Sequence, residues 1–185
     1  MAGNLRADAA RNRERVLEVA RNELANGNRL QLNDIARKAG VGVGTVYRHF
    51  PTPHALLEAV FGQELAAMAR IADDALGIDD PGEAFTFLLR SILELQLKTD
   101  GGLAAIVAAV EDAQEQTTQA KHEMRGATDE LLGRAYQAGV VRRDISAEDI
   151  LNLMVGLEQA VKQDPGRADV YLSVLLAGLR ANQSG

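Results

Sequence analysis

The sequence contains no cysteine and no tryptophan among its 185 residues, and only 4% of them are aromatic. Without cysteine the chain has no disulfide, no cysteine-ligated metal and no thiol nucleophile. No segment reaches the ~18 uncharged apolar residues that a membrane span requires, and the first residues contain no apolar signal-peptide core. We therefore expect a cytoplasmic protein without a membrane partner.

Proline is also scarce, with four residues, at positions 51, 53, 81 and 165. Long proline-free stretches rich in Ala, Leu, Glu and Arg favour helices, and no period-two alternation competes with the helical spacing. The sequence predicts an all-α protein of about nine helices, with a small N-terminal and a larger C-terminal part. We expect helices at about residues 8–25, 33–39, 43–50, 53–76 and 112–138. Three further helices should begin at about residues 81, 147 and 165, and one short helix should end at about residue 110.

Three helix starts carry local signals. Asp80-Pro81-Gly82-Glu83 combines an acidic N-cap, proline at the first helical position and glutamate in the first turn. Ser146 and Asp149 have the spacing of a capping box. Asp164-Pro165 predicts the beginning of the last helix.

The net charge of -6 conceals an asymmetry. Residues 1–62 carry nine Lys/Arg and six Asp/Glu, whereas residues 63–185 carry eleven and twenty. We therefore expect any polyanion to bind the N-terminal part.

Residues 32–50, LNDIARKAGVGVGTVYRHF, place two short helices around a glycine turn, which is the sequence form of a helix-turn-helix. Gly40 allows the tight turn because a residue without Cβ tolerates positive φ. The apolar side chains that should hold the helices together are Ile35, Ala36, Val41 and Val46. The opposite face of the second helix should remain exposed.

The runs Asp34-Ile35-Ala36, Ala39-Gly40-Val41, Gly44-Thr45-Val46-Tyr47 and His49-Phe50 resemble the N-terminal domain of TetR-family transcriptional regulators, over about residues 8–62. The resemblance implies a DNA-binding domain at 1–52, a long linking helix at 53–76, and a ligand-binding and dimerisation domain at 53–185. It also implies that the second short helix enters the major groove. The implied DNA-contacting residues are Gln31, Asn33, Val43, Gly44, Thr45, Tyr47, Arg48, His49 and His54.

Two positions depart from the family's pattern. Pro53 stands where the family often has lysine, and the absence of that lysine would remove one phosphate contact. Gly42 stands where a polar residue is frequent. Arg6, Arg11, Arg13 and Arg15 are one source of replacement charge. A basic arm before the first helix would follow the minor groove or the DNA backbone, and the alternative for Arg6 is a solvated arm that does not touch DNA.

The helix that begins at Pro81 is apolar nearly all round, so its polar residues either recognise a small molecule in a cavity or face solvent in the ordinary way. Ligand sites are mostly apolar with a few placed polar groups. The predicted pocket residues are Met68, Phe85, Phe87, Leu89, Arg90, Glu94, Met124 and Tyr136.

The last two helices carry more apolar surface than a monomer would need. They predict a two-fold interface formed by Leu153, Met154, Leu157, Val161, Leu172, Leu175 and Leu179. The alternative is that both faces are core of one subunit.

The sequence predicts no catalytic set, no cofactor and no metal site, because the three histidines, 49, 54 and 122, do not share a ligand spacing with one another. The glycines at 40, 42 and 44 lack the spacing and the preceding strand of a dinucleotide site. We expect a repressor that binds a double-stranded DNA operator as a homodimer and responds to an unknown small-molecule effector. The alternative is a helical ligand-binding or protein-interaction module that has lost DNA binding.

Overall fold

The computed structural model describes residues 2–99 and 102–181, with side chains from Ala7 onward. Nine α-helices and one short 3₁₀ turn account for most of these residues, so the prediction of an all-α fold is confirmed. The helices are α1 (Ala2–Ala25), α2 (Leu32–Ala39), α3 (Val43–His49), α4 (Pro53–Leu76), α5 (Pro81–Gln96), α6 (Gly102–Ala108), α7 (Glu115–Gln137), α8 (Ala147–Gln163) and α9 (Ala168–Leu179).

The chain forms two compact units. Unit 1 contains residues 1–63 and 105–118, and unit 2 contains residues 64–104 and 119–185. The helix α4 therefore has residues in both units. The functional boundary that the resemblance places between residues 52 and 53 remains a prediction.

In unit 1, α1 packs against α2 and α3, and α2 packs against α3. The apolar residues predicted to hold the helix-turn-helix together are buried, as are Val16, Leu17 and Ala20 on α1. Because one face of each short helix is fixed by this core, α3 presents its other face at a defined orientation within the unit.

The helix α2 ends at Gly40, whose φ of 63° lies in the left-handed region. The amide groups of Gly40 and Val41 donate to the carbonyl oxygens of Arg37 and Ala36, at 3.3 and 3.0 Å, and so satisfy the end of the helix. Only Gly40, Val41 and Gly42 separate α2 from α3, so this backbone conformation sets the turn between the two helices.

Replacing Gly40 by alanine should therefore destabilise the protein by about 1 kcal/mol, because an L side chain disfavours positive φ. A new Cβ at Gly40 or at Gly62 would meet no atom within 4 Å. Gly62 lies within α4, where Gly62→Ala should instead stabilise by about 0.5–1 kcal/mol. Urea unfolding of both variants measures the difference. An equal response of the two variants would contradict the role given to the Gly40 backbone.

In unit 2, α8 packs against α5 and α9, and the buried side chains of these helices form the main core. The predicted caps are present: the Asp80 carboxylate accepts from the Glu83 amide at 2.8 Å, and Ser146 with Asp149 forms a capping box. The last helix differs from its prediction. The residues from Pro165 to Arg167 form a 3₁₀ turn, and α9 begins only at Ala168.

No helix in the described part of the chain combines the length and the apolar character of a membrane span.

Candidate nucleic-acid interface

The outward face of α3 is the most prominent exposed feature of the helix-turn-helix. Val46 is 1% exposed and anchors the helix, while Val43 and Tyr47 are 46% and 45% exposed. An isolated valine on a surface is ordinary, but an exposed valine and tyrosine one turn apart on a short helix form a small amphipathic surface. Such a surface offers apolar contact to thymine methyl groups and a phenolic hydroxyl to a base edge or phosphate.

The polar residues of α3 surround that surface. Gly44, Arg48 and His49 are exposed, and Thr45 is partly buried. The Arg48 guanidinium donates to the Gly44 carbonyl oxygen at 3.0 Å and to the Thr45 hydroxyl at 3.3 Å. The arginine therefore lies along its own helix, and contact with a guanine or a phosphate would require it to exchange these local bonds.

The other predicted DNA-contacting residues lie at two helix beginnings. Gln31 and Asn33 are exposed at the start of α2. His54 lies in the first turn of α4, where its side chain is only 31% exposed and its Nε2 lies 2.8 Å from Oε1 of Glu58. The geometry of unit 1 thus leaves Gln31 and Asn33 accessible and directs His54 towards a buried carboxylate.

The first helix begins earlier than predicted, so the described residues before Asp8 are helical and do not form an extended arm. Helix α1 begins at Ala2, so Arg11, Arg13 and Arg15 are helical residues. Arg11 pairs with Asp8, and the Arg13 guanidinium lies 5.8 Å from the centre of the Phe50 ring. The Arg6 side chain lies outside the described residues.

A polar cluster that sequence reasoning missed joins α4 to the beginning of α7 and the residues just before it, in unit 1. Glu58 is 1% exposed. Its carboxylate accepts from the Ala113 amide at 2.7 Å and from the Thr117 hydroxyl at 3.0 Å, and Gln114 donates to the Ala55 carbonyl oxygen at 3.2 Å. The available signal was Glu58 itself, an acid within the apolar run of α4 and four residues after His54.

The predicted ligand-pocket residues of unit 2 are dispersed. Phe85, Leu89 and the partly buried Tyr136 belong to the main core, and Met68 is also buried. Phe87 and Glu94 are exposed, Met124 is partly buried, and Arg90 pairs with Asp169 on α9. The Tyr136 hydroxyl donates to the Ile145 carbonyl oxygen. Burial is the larger cause and the nearby Asp149 charge the smaller cause that raises the pKa of the Tyr136 phenol.

Unit 2 does contain an open cleft of about 400 Å³, lined by residues that include Asp80, Glu83, Phe85, Val140, Leu176 and Arg180. Of the eight predicted pocket residues, Phe85 alone lines it. The sequence pattern located one wall of this cleft and missed the contribution of the α7–α8 loop and the end of α9. The missed walls come from residues remote in sequence from α5.

Five of the seven predicted interface residues belong to the core of the subunit itself: Met154, Leu157, Val161, Leu172 and Leu179. Each is at most 8% exposed, so these side chains have almost no surface left to bury against a second chain. Leu175 is partly buried, and Leu153 is 43% exposed. These five residues therefore pack in the core of one subunit, which was the alternative to an interface.

The exposed apolar surface of α8 and α9 is formed by other residues. Val170 and Val174 on α9 are 44% and 66% exposed, and Ala177 and Gly178 continue the same helical face. On α8, Leu153, Gly156 and Ala160 are exposed at a spacing of three and four residues, which places them on one face. We call these two faces the α8/α9 apolar faces.

Comparison with protein families matches both parts of the chain. Residues 16–60 match the model described as bacterial regulatory proteins of the tetR family. Residues 80–181, more than half of the chain, match the model described as the C-terminal domain of SbtR-like transcriptional regulators.

Individual proteins agree with these matches. The HTH-type transcriptional regulator UidR of Escherichia coli is 26% identical over 195 aligned positions that cover 100% of this chain and 97% of UidR. The crystal structure of a TetR transcriptional regulator from Streptomyces coelicolor is 30% identical, covers 92% of this chain and 99% of its own, and superposes with a TM-score of 0.53. A structure from a Shewanella species, described as a putative tetR family transcription regulator, is 18% identical over 92% of this chain and 99% of its own, and its TM-score of 0.67 supports the fold.

Proposed function

The chain belongs to the TetR family of transcriptional regulators, and we propose that it is a homodimeric repressor whose operator is released when a small-molecule effector binds. The observation that carries the DNA-binding part is the face of α3, where Val43 and Tyr47 are exposed on a helix anchored by Val46. In this proposal α3 lies in the major groove. Thr45, Tyr47 and Arg48 contact base edges or phosphates there, and Gln31 and Asn33 contact the flanking backbone.

The distribution of charge supports DNA binding by helices α1–α3 of unit 1. Residues 1–62 carry nine basic and six acidic residues. The segment 105–118, which also belongs to unit 1, contributes Glu111, Asp112 and Glu115 and no Lys or Arg. The cationic surface therefore belongs to α1–α3 and not to the whole unit. Neutralisation of phosphates by such a surface releases counterions, so affinity should fall linearly with salt on logarithmic axes.

The experiment is a titration of the full-length protein with duplex DNA that flanks its own gene, followed by fluorescence anisotropy at several salt concentrations. The proposal expects saturable binding that weakens steeply with salt and exceeds binding to a shuffled duplex. Equal binding to the shuffled duplex, or none to either, would instead favour a helical module that has lost DNA recognition.

The proposed dimer uses the α8/α9 apolar faces. Their exposed side chains are small or branched, and a Cβ added at Gly156 or Gly178 would meet no atom within 4 Å, so a partner's helices could approach closely. A two-fold dimer of this kind would place two copies of α3 about one DNA turn apart, ~34–36 Å or a multiple, on a quasi-palindromic operator.

Val174→Glu should convert the dimer to monomers, because it places a charge at the most exposed large apolar side chain of α9 and that charge would lose its hydration in the interface. Light scattering measures the mass directly. Val110→Glu is the matched control, since Val110 is 99% exposed and lies in unit 1. A wild-type chain that is monomeric at micromolar concentration, or a Val174→Glu variant that remains dimeric, would contradict the proposed interface.

The cleft of unit 2 is the proposed effector site. Its volume of about 400 Å³ falls within the ~300–1,000 Å³ that is usual for small-molecule sites. An effector that bound both conformations equally would shift nothing, so it must prefer the conformation that does not fit the operator. We propose that α4 couples the effector site to the DNA-binding helices, because this helix has residues in both units.

A further inference from the structure

The cluster of His54, Glu58 and Asp112 has a composition that the DNA-binding proposal does not use. One imidazole and two carboxylates come together in unit 1, and one potential ligand atom from each residue lies within 4.8 Å of the other two. Glu58 is fully enclosed, and His54 and Asp112 are partly buried. Two of the residues come from the first turns of α4, and the third comes from a segment more than fifty residues later in the sequence.

The contact between His54 and Glu58 points to a cation. The His54 Nε2 atom is buried and lies 2.8 Å from Oε1 of Glu58, yet it forms no hydrogen bond of acceptable geometry with any described residue. A ring nitrogen lone pair and a carboxylate oxygen repel each other at this distance. They can approach without water only if a proton or a metal ion lies between them.

We propose that His54, Glu58 and Asp112 bind one divalent transition-metal ion of the zinc class. Ligand atoms that share one zinc ion at ~2.0–2.2 Å lie roughly 3–3.5 Å apart. The 2.8 Å separation of His54 and Glu58 is slightly shorter than that range, and the potential ligand atoms of all three residues lie within 4.8 Å of one another, so small side-chain shifts would bring the set to ligand distances.

The hydrogen bonds of the Glu58 carboxylate are compatible with ligation. Oε1 of Glu58 accepts from the Ala113 amide, and Oε2 accepts from Thr117, but each carboxylate oxygen has two lone-pair directions. The Thr117 and Ala113 donors would orient Glu58 as outer-shell partners commonly orient a metal ligand. Asp112 similarly accepts from the Thr118 hydroxyl at 3.1 Å.

The donor set also indicates the class of metal. Imidazole nitrogen favours zinc, nickel and related ions over magnesium and calcium, whereas two carboxylates alone would favour the harder ions. Three protein ligands leave the fourth tetrahedral position for water. Bound metal would link α4 to the 112–117 segment within unit 1.

The test is a competition between the full-length, tag-free protein and a chromogenic zinc chelator. We expect one equivalent of zinc per chain, and we expect His54→Gln and Asp112→Asn to weaken binding at least about 10–100-fold. His122→Gln is the matched control, because His122 is exposed on α7. Failure of the wild type to take zinc from the chelator, or equal affinity of the wild type and His54→Gln, would overturn the proposal and assign the close contact to a shared proton.

A thermal measurement keeps the proposal testable if a ligand variant folds poorly. Zinc at about tenfold over its wild-type Kd should raise the unfolding midpoint of the wild type by ~3 °C or more and that of His54→Gln by no more than about 1 °C. Magnesium at the same concentration should have no effect, and an equal rise with magnesium would overturn the assignment to the zinc class. Neither measurement contains DNA, so a failure here is distinct from a failure of operator binding.

Discussion

Replacing Tyr47 by alanine should weaken operator binding about ten- to hundredfold and leave the stability of the protein nearly unchanged. Tyr47 is 45% exposed on α3, so its ring contributes little to the core. A side chain that reads the groove contributes about 1–3 kcal/mol, and each 1.4 kcal/mol is a factor of ten in affinity. Anisotropy titration with the operator duplex measures the loss.

Tyr47→Phe separates the contribution of the hydroxyl group from that of the ring. A partial loss in Tyr47→Phe would assign a hydrogen bond to the hydroxyl, whereas wild-type affinity in this variant would leave the apolar ring as the contact. Gln63→Ala is a control at an exposed position of α4 and outside the residues proposed to contact DNA. Wild-type affinity in Tyr47→Ala would contradict the assignment of the α3 face as the reading surface.

Replacing Glu58 by alanine should lower the free energy of unfolding by about 2–4 kcal/mol. The Glu58 side chain is buried, and its loss removes two hydrogen bonds to a charged acceptor and leaves the Thr117 hydroxyl, in a residue 4% exposed, without this partner. Since the partners lie at 113 and 117, the variant also loosens α4 from that segment.

Urea unfolding in the presence of a chelator measures this effect without any contribution from metal. Glu58→Gln retains an oxygen acceptor of similar shape, so it should lose less than Glu58→Ala. Gln63→Ala, on the exposed side of the same helix, should remain within about 0.5 kcal/mol of the wild type. A Glu58→Ala variant as stable as Gln63→Ala would show that the buried carboxylate does not hold α4 to the 112–117 segment.

The parts of the fold that local sequence determines were predictable. The caps at Asp80 and Ser146 depend on residues three positions apart, and the turn at Gly40 depends on one backbone conformation. Pro53 correctly predicted the first residue of α4 because proline fits a first helical turn. The core of the helix-turn-helix followed from helical spacing alone.

The parts that depend on distant residues were not predictable. No two histidines share a ligand spacing, and the His54–Glu58 pair joins a histidine to a carboxylate. Asp112 approaches this pair only in the folded chain. On α8 the sequence is apolar on more than one face, and spacing does not reveal which face packs inside the subunit. Met154 and Leu157 face inward, whereas Leu153 is exposed.

A dimer of this chain should recognise a specific duplex through two copies of α3. Selection of duplexes from a random library by the full-length protein, followed by sequencing, tests it most directly. We expect enrichment of an inverted repeat whose half-site centres lie about 10–10.5 base pairs, or a multiple, apart. A library recovered without sequence enrichment, or one enriched only for an unrepeated site, would contradict it.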